Sequence, residues 1–242
     1  MAAKKRASDR KRSRPVEKRS TMSRFKGNKL WLGFAIVLAV IIIAVAAYFV
    51  ITSPTGENDT GYTTDNPVAV IDTSMGLIRV ELYEDDVPDT CENFIKLAND
   101  GFYDGLVFHR VANLNPSEPD THVIQGGGFY ADGTYKESPY GSIDLEINEK
   151  YGHVDGAIAM ARTPDPNSAS SQFYICDGVH HDLDDWVRQE EYGERGYAVF
   201  GKVIDGMNIV RTIASVETTT KYGMANWPVE DAVITSITIE NQ

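Results

Sequence analysis

The chain has 242 residues, a formal net charge of −12 at pH 7 and 42% hydrophobic residues, which suits one large globular domain or two small ones. The charge is segregated, because residues 1–29 contain twelve Lys and Arg residues against Asp9 and Glu17, and the remainder is strongly acidic. An acidic remainder of this kind argues against a nucleic-acid-binding surface in the folded part of the chain.

An uncharged apolar segment, Leu30–Ile51, follows the basic tail. At ~1.5 Å per residue, a helix of about 22 residues crosses a hydrocarbon core of roughly 30 Å. A cleavable signal peptide is the alternative, but the apolar regions of signal peptides usually run ~7–15 residues. We therefore expect residues 30–51 to form an uncleaved transmembrane anchor through which the protein associates with the membrane.

The basic tail, residues 1–29, would by itself also suit an RNA- or DNA-binding arm. Its position directly before an apolar segment favours a topological role, because Lys and Arg beside a membrane span stay on the cytoplasmic side. We expect no nucleic-acid partner. The prediction is a single-pass protein of the cell membrane, with a cytoplasmic N-terminus and an extracytoplasmic folded domain.

The segment after the expected anchor, residues 52–66, is polar and rich in Gly and Thr, without an apolar period. This composition is typical of a flexible linker, so the folded domain is predicted at residues 67–242. Cys91 and Cys176 both lie in apolar patterns of that domain, and we interpret them as small core residues. An extracytoplasmic location would also permit a disulfide between them.

Two strand-like pieces, Val68–Asp72 and Leu77–Tyr83, open the domain, and the turn residues between them signal a hairpin. Apolar and charged side chains alternate along the second piece, so one of its faces is expected to be in water. Pro88 then opens a helix that we predict at Asp89–Asn99, where apolar residues recur at helical spacing.

The next two strand-like pieces, Val107–Val111 and His122–Gln125, are joined by a polar loop and followed by three glycines. The first carries Arg110 in an otherwise apolar and aromatic run, and the second ends in Gln125. A charge in a half-buried strand is costly unless it is paired or directed at a ligand. Arg110 is therefore the first candidate for a functional residue.

The rest of the chain adds more strands than helices. Further strands are predicted at Ala157–Arg162, Ser171–Cys176, Ala198–Ile204 and Ala232–Ile239. A helix is predicted at Gly206–Val216, and the charged segment Val179–Tyr197 is predicted to be a loop. Because strands and helices do not alternate, we predict a mainly β fold: a closed eight-stranded antiparallel β-barrel capped by two α-helices and preceded by one N-terminal transmembrane helix.

Several histidines lie outside these strands. His153 is expected at the surface. The segment His180–Asp185 has the residue types of a metal cluster, but adjacent histidines rarely coordinate one ion well. We predict no metal site and no cofactor.

Five short motifs in the domain occur in a fixed order. They are Phe108-His109-Arg110-Val111, Ile124-Gln125-Gly126-Gly127, Met160-Ala161-Arg162, Ser171-Gln172-Phe173-Tyr174-Ile175 and Val199-Phe200-Gly201-Lys202-Val203. As an ordered set over roughly residues 67–240, they resemble the cyclophilin family of peptidyl-prolyl cis-trans isomerases. Tyr197, in place of the family's pocket histidine, resembles the prokaryotic-type members.

The resemblance implies rotation about the peptide bond that precedes proline. The barrier to this rotation is roughly 20 kcal/mol, because amide resonance must be broken, and no nucleophile or cofactor is needed. Arg110 matches the catalytic arginine of the family. Gln125 matches the glutamine that binds the substrate backbone and helps to orient the arginine. The implied partners are proline-containing polypeptides.

The resemblance also implies a set of substrate-binding residues. They are His109, His122, Val123, Ala161, Arg162, Gln172, Tyr174, Leu183 and Tyr197. The chain departs from the family pattern at His122 and Val123, where the family commonly has Phe-Met, and at Asp182, where it often has Trp. A smaller apolar area weakens burial by roughly 25 cal/mol per Å², so we expect a weakened grip on proline.

The sequence thus predicts a monomeric peptidyl-prolyl cis-trans isomerase that acts on exported or surface proteins and assists their folding. The alternative is a cyclophilin-like binding module or holdase chaperone with little catalysis, which the altered pocket keeps open. Two loops, Asn113–Thr121 and Asp184–Gly196, are longer than the family pattern. They are interpreted as surface insertions, or as a rim that recruits substrates through Trp186.

Overall fold

The computed structural model describes residues 64–115, 117–118 and 121–241. Within these ranges there is no helix that combines the length and the apolar character needed to cross a membrane. The expected tail at 1–29, the expected anchor at 30–51 and nearly all of the expected linker at 52–66 lie outside the described residues. Those expectations therefore stay predictions.

Ten β-strands and three α-helices lie in the described part of the chain. The strands are β1 (Val68–Thr73), β2 (Gly76–Leu82), β3 (Arg110–Ala112), β4 (His122–Gly126), β5 (Ala157–Met160), β6 (Phe173–Asp177), β7 (Val199–Asp205), β8 (Thr218–Lys221), β9 (Met224–Pro228) and β10 (Ile234–Glu240). The helices are α1 (Pro88–Asn99), α2 (Asp185–Tyr192) and α3 (Met207–Ala214).

Eight of the strands form one antiparallel sheet in the order β10-β1-β2-β7-β5-β6-β4-β3. The mainly β prediction is confirmed, but the closed barrel is wrong: the sheet is a curled half-barrel with β3 and β10 at its edges. The segments beside the edge strands meet at an isolated bridge between Val107 and Val233. With β3 three residues long, no continuous ladder joins the two edges.

The core of the domain follows from the period of the strands. Alternate residues of β2, namely Ile78, Val80 and Leu82, are fully buried, as the apolar alternation predicts. Helix α1 buries Phe94, whose ring lies 5.5 Å from that of Phe173 in β6. The two cysteines are free and buried, consistent with their interpretation as core residues.

A third helix and an extra hairpin correct the predicted element count. The segment Val179–Tyr197, predicted as a loop, contains α2, and Gly193 caps the C-terminus of this helix in the left-handed conformation with φ 66°. The carboxylate of Asp185 accepts hydrogen bonds from the backbone of Gly196 at 2.7 Å and from Arg195 at 2.8 Å. These bonds fold the inserted segment back on itself. Strands β8 and β9 form a separate hairpin that the sequence patterns did not indicate.

Candidate active site

A cavity of about 350 Å³ opens where β3, β4 and β6 run side by side. It is lined by Arg110, Leu114, Val123, Gln125, Ala161, Arg162, Tyr174, Asp182, Leu183 and Tyr197. Strand register explains the grouping, because Arg110 lies opposite Gln125 and Gln125 lies opposite Tyr174. Residues directly opposite one another in an antiparallel sheet share a face. The three side chains therefore form a row across one face of the sheet.

Arg110 is held at this face by neutral amides. One terminal nitrogen of its guanidinium donates to Gln125 Oε1 at 3.1 Å, and Gln125 Nε2 donates to Gln172 Oε1 at 3.0 Å. Arg110 takes part in none of the ion pairs among the described residues. The charge is thus oriented without being neutralised, and its remaining donors are available to a ligand.

The Arg110 side chain is partly shielded from solvent. It is half-buried, and this burial lowers the pKa of the guanidinium from its ordinary value. The group nevertheless stays charged at neutral pH, because the ordinary value lies so high. A charged donor in a poorly solvated cavity interacts more strongly with an oxygen acceptor than it would in water.

The same cavity has an apolar lining. Val123, Tyr174 and Leu183 are all buried, and the ring of Tyr197 lies edge-on to that of Tyr174 with centroids 5.9 Å apart. This surface is suited to an apolar ring of modest size, beside a cationic donor. Leu114 and Asp182 complete the lining. Neither was among the predicted binding residues, since Leu114 belongs to an irregular loop and Asp182 stands where the family pattern often has Trp.

Arg162 braces the rim of the cavity. Its Nε donates to the carbonyl oxygen of Gly196 at 3.0 Å, and its Nη1 donates to that of Thr163 at 2.8 Å. The guanidinium also lies 4.6 Å from the centre of the Tyr197 ring. Arg162 therefore couples the inserted segment after α2 to the apolar lining, while Ala161 contributes the adjoining backbone.

The structure does not bring His109 and His122 to the cavity. Successive side chains of a strand point to opposite faces, so His122 faces away from Val123 and Gln125. The backbone oxygen of His122 lies 3.0 Å from His180 Nε2. His109, directly before Arg110, is buried with its ring 4.7 Å from that of Phe129. The substrate-binding roles expected of the two histidines rested on motif position and stay predictions.

His153 is buried, which makes the expected surface position wrong. Its Nδ1 lies 2.7 Å from Asp184 Oδ1, and its Nε2 lies 2.9 Å from the Tyr174 hydroxyl. The second oxygen of Asp184 lies 2.7 Å from His181 Nδ1. The acidic and histidine residues of this region thus form a hydrogen-bond network. In the ranges that the structure describes, no group of three or more such residues is arranged to hold a metal ion.

Comparison with known proteins gives one consistent result. The family model described as cyclophilin type peptidyl-prolyl cis-trans isomerase/CLD matches residues 68–239. The peptidyl-prolyl cis-trans isomerase of Acinetobacter baylyi is 37% identical over 177 residues, which cover 73% of this chain and 87% of that protein. Peptidyl-prolyl cis-trans isomerase B of Escherichia coli is 35% identical over 167 residues, covering 69% of this chain and 96% of that protein.

A solved structure extends the comparison to three dimensions. It is the crystal structure of a Cryptosporidium parvum cyclophilin type peptidyl-prolyl cis-trans isomerase in the presence of the dipeptide Ala-Pro. Its TM-score with this chain is 0.59 at 27% sequence identity, and the match covers 72% of this chain and 99% of that one.

The buried His109 predicts acid-sensitive stability. Burial lowers the pKa of this imidazole from 6.5 to about 4. The unfolded chain therefore binds a proton more readily than the folded one. The stabilisation is fully present above pH 6.5 and is lost as the pH falls from there through about 4.

We expect the free energy of unfolding, measured by urea denaturation of the full chain, to fall between about pH 6.5 and 5, and to fall less steeply in His109→Asn. Part of the slope persists in the variant, because burial also lowers the pKa of His153. Parallel pH profiles of the two proteins would contradict the assignment to His109.

Proposed function

The chain belongs to the cyclophilin-type peptidyl-prolyl cis-trans isomerase family and is an isomerase, and from that premise we propose that it acts on Xaa-Pro bonds of exported or surface proteins and assists their folding. The observation that carries the assignment of the reaction to this cavity is the hydrogen-bonded chain Arg110–Gln125–Gln172 beside an apolar lining. The proposal that the substrates are exported or surface proteins rests on the basic tail and the apolar segment of the sequence.

Arg110 is the proposed catalytic residue. Rotation about the bond before proline passes through a twisted amide that has lost its resonance, at a cost of ~18–20 kcal/mol when uncatalysed. As resonance is lost, the prolyl nitrogen regains a lone pair. A guanidinium that donates to this lone pair, or to the carbonyl oxygen of the proline residue, stabilises the twisted state more than the planar one. No covalent bond forms or breaks, and no proton is transferred.

Gln125 is proposed to orient that donor. Its oxygen accepts from Arg110 and its nitrogen is occupied by Gln172, so the amide cannot turn without breaking a bond at each end. The arrangement fixes the plane of the guanidinium before substrate arrives. Preorganised donors stabilise a transition state more effectively than mobile ones, because no reorganisation is needed during the reaction.

The proline ring is proposed to sit against Val123, Tyr174, Leu183 and Tyr197. Val123 is smaller than the Met that the family commonly has there, and His122 supplies no aromatic surface to the cavity. At roughly 25 cal/mol per Å² of apolar surface, the smaller contact supports a weak grip on proline. This proposal predicts a high KM rather than a slow step, because Arg110 and Gln125 are unaffected. We propose that the protein acts as a monomer.

We propose that the domain is anchored in the cell membrane and lies outside the cytoplasm. The support is the order of segments in the sequence: the basic tail at 1–29, the uncharged apolar segment at 30–51 and the polar linker at 52–66. Positive charge beside an apolar span retains that end in the cytoplasm. The linker would give the cavity reach toward unfolded chains that emerge at the membrane surface.

Removal of the Arg110 guanidinium tests the catalytic assignment. We expect Arg110→Ala to lower kcat/KM by about 10²–10³-fold, the usual loss when one preorganised donor is removed. The measurement is NMR exchange spectroscopy on a defined Xaa-Pro peptide with the full chain. Arg79→Ala is the matched control, because Arg79 is a strand arginine paired with Glu240 away from the cavity. A folded Arg110→Ala protein with wild-type kcat/KM would refute the assignment.

The proposed topology predicts which end of the chain a protease can reach. In intact cells stripped of their outer layers, added protease should remove a C-terminal tag and spare an N-terminal one. Replacing Lys and Arg of residues 18–29 by Glu should weaken this orientation. Protection of the C-terminal tag until the cells are lysed would overturn the extracytoplasmic placement without touching the isomerase assignment.

A further inference from the structure

Tyr174, which lines the cavity, is tethered from behind by two buried polar residues. Its hydroxyl lies 2.9 Å from His153 Nε2, and His153 Nδ1 lies 2.7 Å from Asp184 Oδ1. The side chains of His153 and Asp184 are 1% and 0% exposed. We propose that His153 and Asp184 are positioning residues, which fix Tyr174 and Tyr197 as walls for the substrate proline. This inference rests on the proposed function of the cavity.

The direction of each hydrogen bond follows from the chemistry of Asp184. Burial by itself raises the pKa of this carboxyl, but hydrogen bonds from His153 and His181 outweigh it and hold the pKa below its usual value. An ionised carboxylate accepts hydrogen bonds only. One oxygen of Asp184 accepts from the backbone N–H of His153 at 2.8 Å as well as facing Nδ1. Nδ1 of His153 must therefore carry the proton.

The tautomer of His153 determines in which direction the Tyr174 hydroxyl donates its hydrogen bond. Burial lowers the pKa of His153, so the imidazole is neutral at pH 7. A neutral imidazole protonated at Nδ1 has a lone pair at Nε2, which accepts the Tyr174 O–H. The hydroxyl proton of Tyr174 thus points away from the cavity. The substrate meets the ring, and the tyrosine serves as an apolar wall despite its polar group.

The rings of His153, Tyr174 and Tyr197 pack against one another. The rings of His153 and Tyr174 are nearly parallel, 12° apart. The ring of Tyr197 stands edge-on to both, with centroids 6.4 Å from His153 and 5.9 Å from Tyr174. A substitution of His153 should therefore alter the packing of both Tyr174 and Tyr197, although His153 itself does not line the cavity.

Asp184 extends the tether to the opposite part of the lining. It follows directly after Asp182 and Leu183, which line the cavity, and both of its oxygens are occupied by His153 and His181. The backbone N–H of His180 also donates to the carbonyl oxygen of His153 at 2.7 Å. The network thus sets the distance between the wall formed by β6 and the wall formed by the segment before α2.

A purely structural network would make a different prediction from a positioning one. A structural role changes the free energy of unfolding and leaves the kinetic constants of the folded protein alone. A positioning role raises KM at unchanged kcat, because the proline wall is disturbed while Arg110 and Gln125 keep their geometry. The two roles are therefore separated by steady-state kinetics on folded variants.

The test compares two amides in place of His153. In His153→Asn the amide nitrogen can replace Nδ1 toward Asp184 but does not reach Tyr174, whereas in His153→Gln the longer side chain reaches the Tyr174 hydroxyl. We expect His153→Asn to raise KM for an Xaa-Pro peptide by about 5–10-fold with kcat within about twofold, the size of one lost hydrogen bond. His153→Gln should recover most of that loss. Ile71→Val, in the core away from the cavity, controls for destabilisation.

A cycle with Tyr174→Phe assigns the effect to the hydroxyl. In that background His153→Asn should change KM by less than about twofold, because the tethered group is already gone. An equal increase in both backgrounds, or an unchanged KM in folded His153→Asn, overturns the proposal. Imidazole nitrogen NMR of the unsubstituted full chain gives a second readout independent of folding of variants: protonation at Nε2 instead of Nδ1 also overturns it.

Failure of the proposed function has its own signature in the same experiment. Unsubstituted chain that exchanges the peptide no faster than the uncatalysed rate would reject the activity of this cavity. The positioning proposal is then read from peptide affinity, measured by NMR titration, where the same about 5–10-fold weakening in His153→Asn is expected. Equal affinities of the two proteins reject the positioning role.

Discussion

A half-buried guanidinium held by neutral amides is the interaction on which this site depends. Burial of a charge is costly unless hydrogen bonds compensate for it. Arg110 obtains that compensation from the Gln125 oxygen rather than from any carboxylate in the described ranges. A carboxylate would stabilise the charge more strongly, but it would also neutralise the positive charge that a twisted amide needs. A neutral partner therefore stabilises Arg110 less than a carboxylate would, but it leaves the guanidinium charge available to substrate.

The architecture of the sheet makes that interaction possible. Arg110 lies on β3, and its side chain projects from the face of the eight-stranded sheet that lines the cavity. Register with β4 and β6 brings Gln125 and Tyr174 into the same row. This row is the part of the sheet that opens into the cavity, so a bound ligand can reach the donor. The inserted α2 segment, braced by Arg162, borders the same opening.

Local patterns in the sequence were enough to predict the eight strands of the main sheet and the mainly β class, and the family resemblance placed Arg110 and Gln125 together. Strand alternation and short motifs can be read from neighbouring residues alone, so these features were predictable.

The α2 helix was missed because its segment is dominated by charged residues, and its stability comes from long-range bonds such as Asp185 to Arg195. His153 was misplaced for the same reason: its partner Asp184 lies 31 residues away and no local period reveals it. His122 was predicted to bind substrate from its motif position, whereas the strand period turns its side chain away from Val123 and Gln125.

Gln125 orients the Arg110 guanidinium without neutralising its charge, and the proposed catalysis depends on this. Replacing Gln125 by Glu tests it most directly, since the shape is conserved while a carboxylate is placed against the guanidinium. The account predicts that kcat for an Xaa-Pro peptide falls by about 10²-fold in Gln125→Glu at pH 7, because the new carboxylate neutralises the charge that stabilises the twisted amide. A folded Gln125→Glu protein with unchanged kcat would contradict the account.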